Sequence, residues 1–206
     1  MKTLPRLGSP RGLTLVELMV IIAIVGVLLT LAAPSFRDFI LMQRLKAVHA
    51  QLVTDLQFAR SEAAARNQIV NMRVIGAGNN GVVSCYTLFT DTGHAYASGP
   101  SQRCDCRQPE GSRCTEAGTT EIRTVLVPRS LGVVFSVPAG GASSVGFEPT
   151  TGGMALTFGA GAHVSGSAMT VVTSIDAARS LAAVVSLSGR PTVCRPGGST
   201  MNEPAC

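Results

Sequence analysis

A single carboxylate sits inside a membrane-length apolar run. From Leu13 to Ala33 there are 21 residues, and Glu17 alone is charged. At about 1.5 Å of rise per helical residue the run spans roughly the 30 Å of a bilayer core. A charged side chain at the centre of such a helix costs about 2.5–3.5 kcal/mol on insertion scales, and less near an end, so an acid there usually has a partner or a function. The chemistry open to Glu17 is charge pairing, in which its carboxylate and a cation at the membrane interface offset each other's desolvation. Two plainer readings compete. Lys2, Arg6 and Arg11 make a basic flank and Leu31-Ala32-Ala33 resembles a signal-peptidase site, but the run is long for a signal peptide, carries an acid, and has Pro34 at the bond to be cut. An ordinary anchor that tolerates Glu17 near the interface is the other.

The six cysteines suit an oxidising compartment. Cys194 and Cys206 enclose a short Gly- and Pro-rich segment with little else to order it, and a bridge there stabilises by about 3 kcal/mol in the chain-entropy model. Cys85, Cys104, Cys106 and Cys114 admit three pairings, among which the sequence does not choose. Zinc on Cys104, Cys106 and Cys114 is the functional rival, disfavoured because the spacing is not C-x-x-C and no histidine lies nearby. No metal and no cofactor are expected. His49 falls on a predicted helix and His94 and His163 in loops, without a serine, histidine and acid constellation, so surface or turn positions are expected for all three. Asp91-Thr92-Gly93 has the composition of an aspartic-protease triplet but no second copy. Gly76-Ala77-Gly78 lacks the third glycine and following helix of a dinucleotide fingerprint. No catalysis is expected.

These residues need a long helix and a rigid head to place them. Leu41, Leu45, Val48, Leu52, Leu56, Ala59 and Ala63 recur at steps of four and three, while Arg37, Arg44 and Gln51 fall on another face. The apolar stripe is expected to pack on the head. Residues 13–33 then form the membrane half of one helix, 34–67 its amphipathic half, and 68–206 the head. Short apolar runs bounded by Gly, Pro, Ser or Asp predict strands at 68–75, 82–89, 122–127, 132–137, 145–148, 154–158, 169–175 and 181–187, the first two forming a hairpin across 76–81. The fold class is α+β, a long N-terminal helix packed on an antiparallel β-sheet head. The net charge of +5 would suggest nucleic acid only if the head carried it. Instead residues 1–12 hold three positive charges, 34–73 hold six against three acids, and 74–206 hold eight of each sign. Basic residues ahead of the apolar run follow the positive-inside rule, with residues 1–12 cytoplasmic and the head exported.

Arg11-Gly12-Leu13-Thr14-Leu15-Val16-Glu17, leading a hydrophobic helix, resembles the class III signal of type IV prepilins and type II secretion pseudopilins. The resemblance implies that a prepilin peptidase cuts after Gly12, releasing residues 1–12, and methylates the new amine on Leu13. The commonest first mature residue is Phe; here it is Leu. Glu17 takes the fifth mature position, where the family places its assembly glutamate, so that it pairs with the Leu13 amine of a neighbouring subunit and sets the axial stagger. Pro34, at the twenty-second mature position and preceded by Gly26, implies a helix that kinks or melts on packing. Asp55-Leu-Gln-Phe-Ala-Arg60-Ser61-Glu62-Ala63, with Pro34-Ser35-Phe36 upstream, is similar to the GspH/FimT branch and leans towards FimT/FimU minor pilins. Phe147-Glu-Pro-Thr-Thr-Gly-Gly153 and Ser188-Gly189-Arg190 look like the same family, although the resemblance is strongest over the first 70 or so residues. It implies the type IV pilin fold and a non-catalytic subunit of a pilus or pseudopilus. Its partners would be other pilins, the prepilin peptidase and the bacterial inner membrane, crossed once with the head in the periplasm. Some FimT-like minor pilins bind DNA through Gly-Arg-x-Arg. Gly189-Arg190-Pro191-Thr192 lacks the second arginine, and Arg195 is the substitute on offer. In a head without surplus charge, an Arg190 that caps a turn or faces solvent is the plainer reading.

Overall fold

The computed structural model describes residues 12, 14–78, 81–92, 104–155 and 169–206, with the side chains of residues 31–34 outside the description. The chain divides into two units, residues 1–40 and 41–206. One helix, α1 (Leu15–Arg66), starts in the first and ends in the second. Thr14 starts it: its hydroxyl accepts the Glu17 N–H at 3.3 Å and its carbonyl accepts the Leu18 N–H at 3.1 Å. Thr-x-x-Glu ahead of an apolar run is a capping-box sequence, and an acid in the first turn also meets the positive end of the helix dipole. Asn67 ends the helix with φ 50°, a left-handed conformation that Asn adopts more readily than most residues.

In the first unit the apolar side chains of α1 are exposed, among them Leu15, Met19, Ile22, Leu28 and Leu29. Among the described residues no single helix is long and apolar enough to cross a membrane, whereas Leu15–Thr30 and Ser35–Arg66 taken as a pair meet the length and composition.

The second unit carries eight strands: β1 (Val70–Ile75), β2 (Val83–Asp91), β3 (Thr119–Pro128), β4 (Val134–Ser136), β5 (Ser144–Phe147), β6 (Met169–Ser174), β7 (Ser180–Val185) and β8 (Pro191–Cys194). They form two four-stranded sheets of order β3-β2-β1-β5 and β4-β6-β7-β8, antiparallel throughout. The expected antiparallel β head is thus built of two sheets. Ser84 of β2 joins them, its Oγ accepting the Phe135 N–H of β4 at 3.0 Å. The 76–81 hairpin joins β1 and β2, with Val70 opposite Thr90 and Ile75 opposite Cys85. Of the expected 154–158 strand, Met154 bridges Phe147, and residues 156–168 lie outside the description. β8 has no counterpart among the expected apolar runs but stands where the resemblance, with its final strand after Gly189-Arg190, implies one; it is four residues long and begins with Pro191, a position where the missing N–H is tolerated.

The stripe does pack on the head. Leu52, Leu56, Ala59 and Ala63 join one core with Val70 and Met72 of β1, Tyr86 and Leu88 of β2, Phe147 of β5 and Val171 of β6. Leu45 joins a smaller cluster with Val133, Leu181 and Met201. Arg37, Arg44 and Gln51 are exposed. One expectation is overturned. His49 is no surface histidine; it is 3% exposed, at the stripe's edge, where steps of four from Leu45 bring it under β6. His94 and His163 lie outside the described residues.

Candidate functional site

Two regions carry the residues that the sequence singles out. The first is the start of α1. Gly12 precedes the Thr14 cap, Leu13 lies outside the described residues, and Glu17 stands exposed in the first turn. Gly26 is helical with open space where a Cβ would stand, and Pro34 lies within the helical run.

The second is the face where α1 meets the turns of both sheets, and a buried anchor fixes it. Asp55, 1% exposed, accepts the Tyr86 hydroxyl at 2.7 Å and the Arg123 guanidinium at 2.6 Å. Burial and the Asp55 hydrogen bond raise the Tyr86 pKa above its ordinary value. Arg123 also stacks over Phe58, 5.3 Å from the ring centroid. Helix α1 is thereby pinned to β2 and β3. His49 makes a second polar contact, Nδ1 to Thr173 Oγ1 at 3.0 Å, while its Nε2 is buried without a partner among the described residues. Burial lowers its pKa to about 4.

Past this anchor a groove of about 610 Å³ opens along α1. Gln57, Arg60, Ser61 and Ala64 line one wall, Pro149 to Gly152 another, and Arg190 with Pro191 the third. The two turns that build it interlock. Gly152 (φ 65°) and Gly189 (φ 73°) are left-handed; a Cβ on Gly189 would lie 2.1 Å from the Gly152 carbonyl oxygen, and one on Gly152 would lie 2.6 Å from Arg60 Nε. Backbone bonds from Met154 N–H to Leu187 O (3.0 Å) and from Gly152 N–H to Glu148 O (2.9 Å) hold the pair. Glu148 in turn accepts the Thr151 hydroxyl at 3.0 Å. The three family-like segments of the sequence, around Arg60, Gly152 and Gly189, thus converge on one groove. Sequence reasoning gave Arg60 no role, nor Asp55, although Asp55 follows Leu52 by three positions on the buried face.

Arg195 is not brought to the groove. It lies at the far end of β8 from Arg190, about 16 Å along an extended chain, where its N–H donates to Pro204 O and its carbonyl accepts the Cys206 N–H. The disulfides are Cys85–Cys106, Cys104–Cys114 and Cys194–Cys206. Cys104 and Cys106 thus turn to different partners, and all the thiols of the rival zinc set are consumed.

A family profile described as prokaryotic N-terminal methylation motif matches residues 9–33, and one described as Type II transport protein GspH matches residues 50–189. The chain belongs to the GspH family. Its members span type IV minor pilins and GspH-like pseudopilins, and this chain is one of that group. The GspH match takes in the amphipathic helix from Ala50 and both glycine turns, and ends one residue before Arg190. The pilin-like protein PilA1 of Thermus thermophilus is 41% identical over 81 residues, 39% of this chain and 48% of that relative, so the match spans about half of its length. Two crystal structures of the type IV minor pilin FimU of Pseudomonas aeruginosa are similar at 13% and 14% identity, with TM-scores of 0.44 and 0.47. They cover 77% and 78% of this chain and 98% and 95% of the FimU chains.

Proposed function

We propose that this GspH-family chain is a non-catalytic structural subunit that assembles through its N-terminal helix into a type IV pilus or a type II secretion pseudopilus. The observation that carries the proposal is one chain with the methylation motif at 9–33 and a GspH head, linked by a helix that exposes apolar side chains around a lone acid. A prepilin peptidase cleaves after Gly12 and methylates the Leu13 amine. Residues 13–33 then hold the subunit in the bacterial inner membrane by a single pass, with the head in the periplasm. The Glu17 carboxylate pairs with a neighbour's Leu13 amine, each charge offsetting the other's desolvation, so that an unpaired register is penalised. Thr14 survives cleavage, and its cap keeps the first turn wound where the two charges meet. Pro34 lacks an amide hydrogen, and with Gly26 it lets the helix bend or melt as subunits pack.

The mass of the N-terminal peptide, from protein taken out of a membrane containing a prepilin peptidase, tests the first step. It should begin with N-methylated Leu13; a start after Ala33, or an intact Met1, overturns the proposal. Glu17→Ala should lose incorporation into the filament while the head stays folded, and normal incorporation would exclude the amine pairing. The DNA-binding alternative rests on Arg190 and Arg195 and is weakened by their separation along β8. If it holds, Arg190→Ala with Arg195→Ala abolishes retention of duplex in a gel shift.

A further inference from the structure

We propose that the groove between α1 and the two interlocked glycine turns binds an acidic side chain of a neighbouring pilin-class subunit, through the guanidinium groups of Arg60 and Arg190. The choice of donor rests on the assembly reading above; the site itself rests on geometry. Arg60 and Arg190 line one concavity, and neither guanidinium has a hydrogen bond or ion pair among the described residues. Other arginines of the head do have partners. Arg66, Arg113, Arg123 and Arg179 each hold a carboxylate, and Arg73 and Arg107 each donate to a backbone carbonyl. The nearest acid in the turn sequence, Glu148, is engaged by Thr151 instead.

Two like charges do not converge on a groove without help, and the fold supplies it. Arg60 lies against Gly152, where a side chain would displace its Nε, and Gly189 lets the Arg190 turn close onto the Gly152 carbonyl. The backbones that carry the two arginines are therefore set in place before any ligand arrives, which removes part of the ordering cost of binding. Gln57 and Thr150 add neutral hydrogen-bond donors at the rim.

The ligand must be a compact anion. A nucleic-acid backbone is held by a succession of cations along a track, whereas this groove offers two at one place. Arg195 is remote, and residues 74–206 have equal numbers of basic and acidic residues. A carboxylate presents two coplanar oxygens, which suits the fork of a guanidinium on each side. In a filament of subunits with surface acids, such a contact adds orientation around the axis to the axial register set at Glu17.

The test uses the full chain in detergent micelles with 15N-labelled arginine, following the Nε–Hε signals of Arg60 and Arg190. The probes are acetyl-Ala-Glu-Ala-amide, its Gln counterpart and a 12-base-pair DNA duplex. The Glu peptide should shift both signals saturably and the Gln peptide should not. Arg60→Gln or Arg190→Gln should each weaken the remaining response about tenfold, with Arg195→Gln unchanged. Absence of a response to the Glu peptide in the wild-type chain overturns the site. A response confined to the duplex overturns the carboxylate and makes the groove a nucleic-acid contact. A chain that binds the Glu peptide but is never processed at Gly12 overturns the pilin-class donor and leaves the groove standing.

Discussion

Asp55 is the side chain on which the docking of helix to sheet most depends, because it answers two partners from inside the core. Replacing it with Ala leaves the Tyr86 hydroxyl buried and unbonded and frees Arg123, at a cost of about 3 kcal/mol. Tyr86→Phe keeps the Arg123 pair and should cost only about 1 kcal/mol; urea melts giving the reverse order would contradict the arrangement. His49 sets a pH dependence. Unfolded, it takes a proton near 6.5; folded, burial delays this to about 4. Its contribution is thus complete above pH 6.5 and is lost as pH falls from 6.5 towards 4, by about 3 kcal/mol in all. His49→Gln, which can still bond Thr173, should flatten that part of the stability profile. Gly189→Ala places a methyl against the Gly152 carbonyl and imposes a left-handed alanine, so about 2–4 kcal/mol should be lost. Neither the anchor nor the interlock was legible in the sequence. An acid at a stripe position has the same spelling whether its partner is water or an arginine 68 residues away, and glycine in a turn does not announce which other turn it will touch.

At the scale of elements the sequence was more informative. The three- and four-residue steps from Leu41 to Ala63 can bury only one face, and the turn residues between apolar runs left the strands few places to begin. What periodicity could not show was partnership: β4 and β5 follow one another in the chain and join different sheets. Periodicity missed β8, because four residues starting with proline carry too little pattern; only the Gly189-Arg190 resemblance pointed to a final strand there. The Cys194–Cys206 bridge compensates for that brevity by tying down a loop at the edge of its sheet, where the Arg195 carbonyl accepts the Cys206 N–H. Replacing both cysteines with serine should lower stability by about 3 kcal/mol. Hydrogen exchange should speed up over residues 191–206 before it does over β1 and β2; uniform acceleration would show instead that the bridge braces the whole head.

For the whole molecule, the division into residues 1–40 and 41–206 separates the segment proposed to assemble from the unit that holds the core. Glu17→Ala, proposed to lose incorporation, should leave the urea midpoint of the head unchanged, because the two cores and the side chains packed against them begin at Met42. A shifted midpoint would mean that the first unit also stabilises the second. The order in which the chain visits the two sheets has a mechanical result. The chain passes from β3 of the first sheet to β4 of the second, returns to β5, and leaves again for β6. After β6 it never returns, so a pull on the C-terminal end strips β8, β7 and β6 before it reaches β5, and the head should yield to force in two steps, the second sheet first.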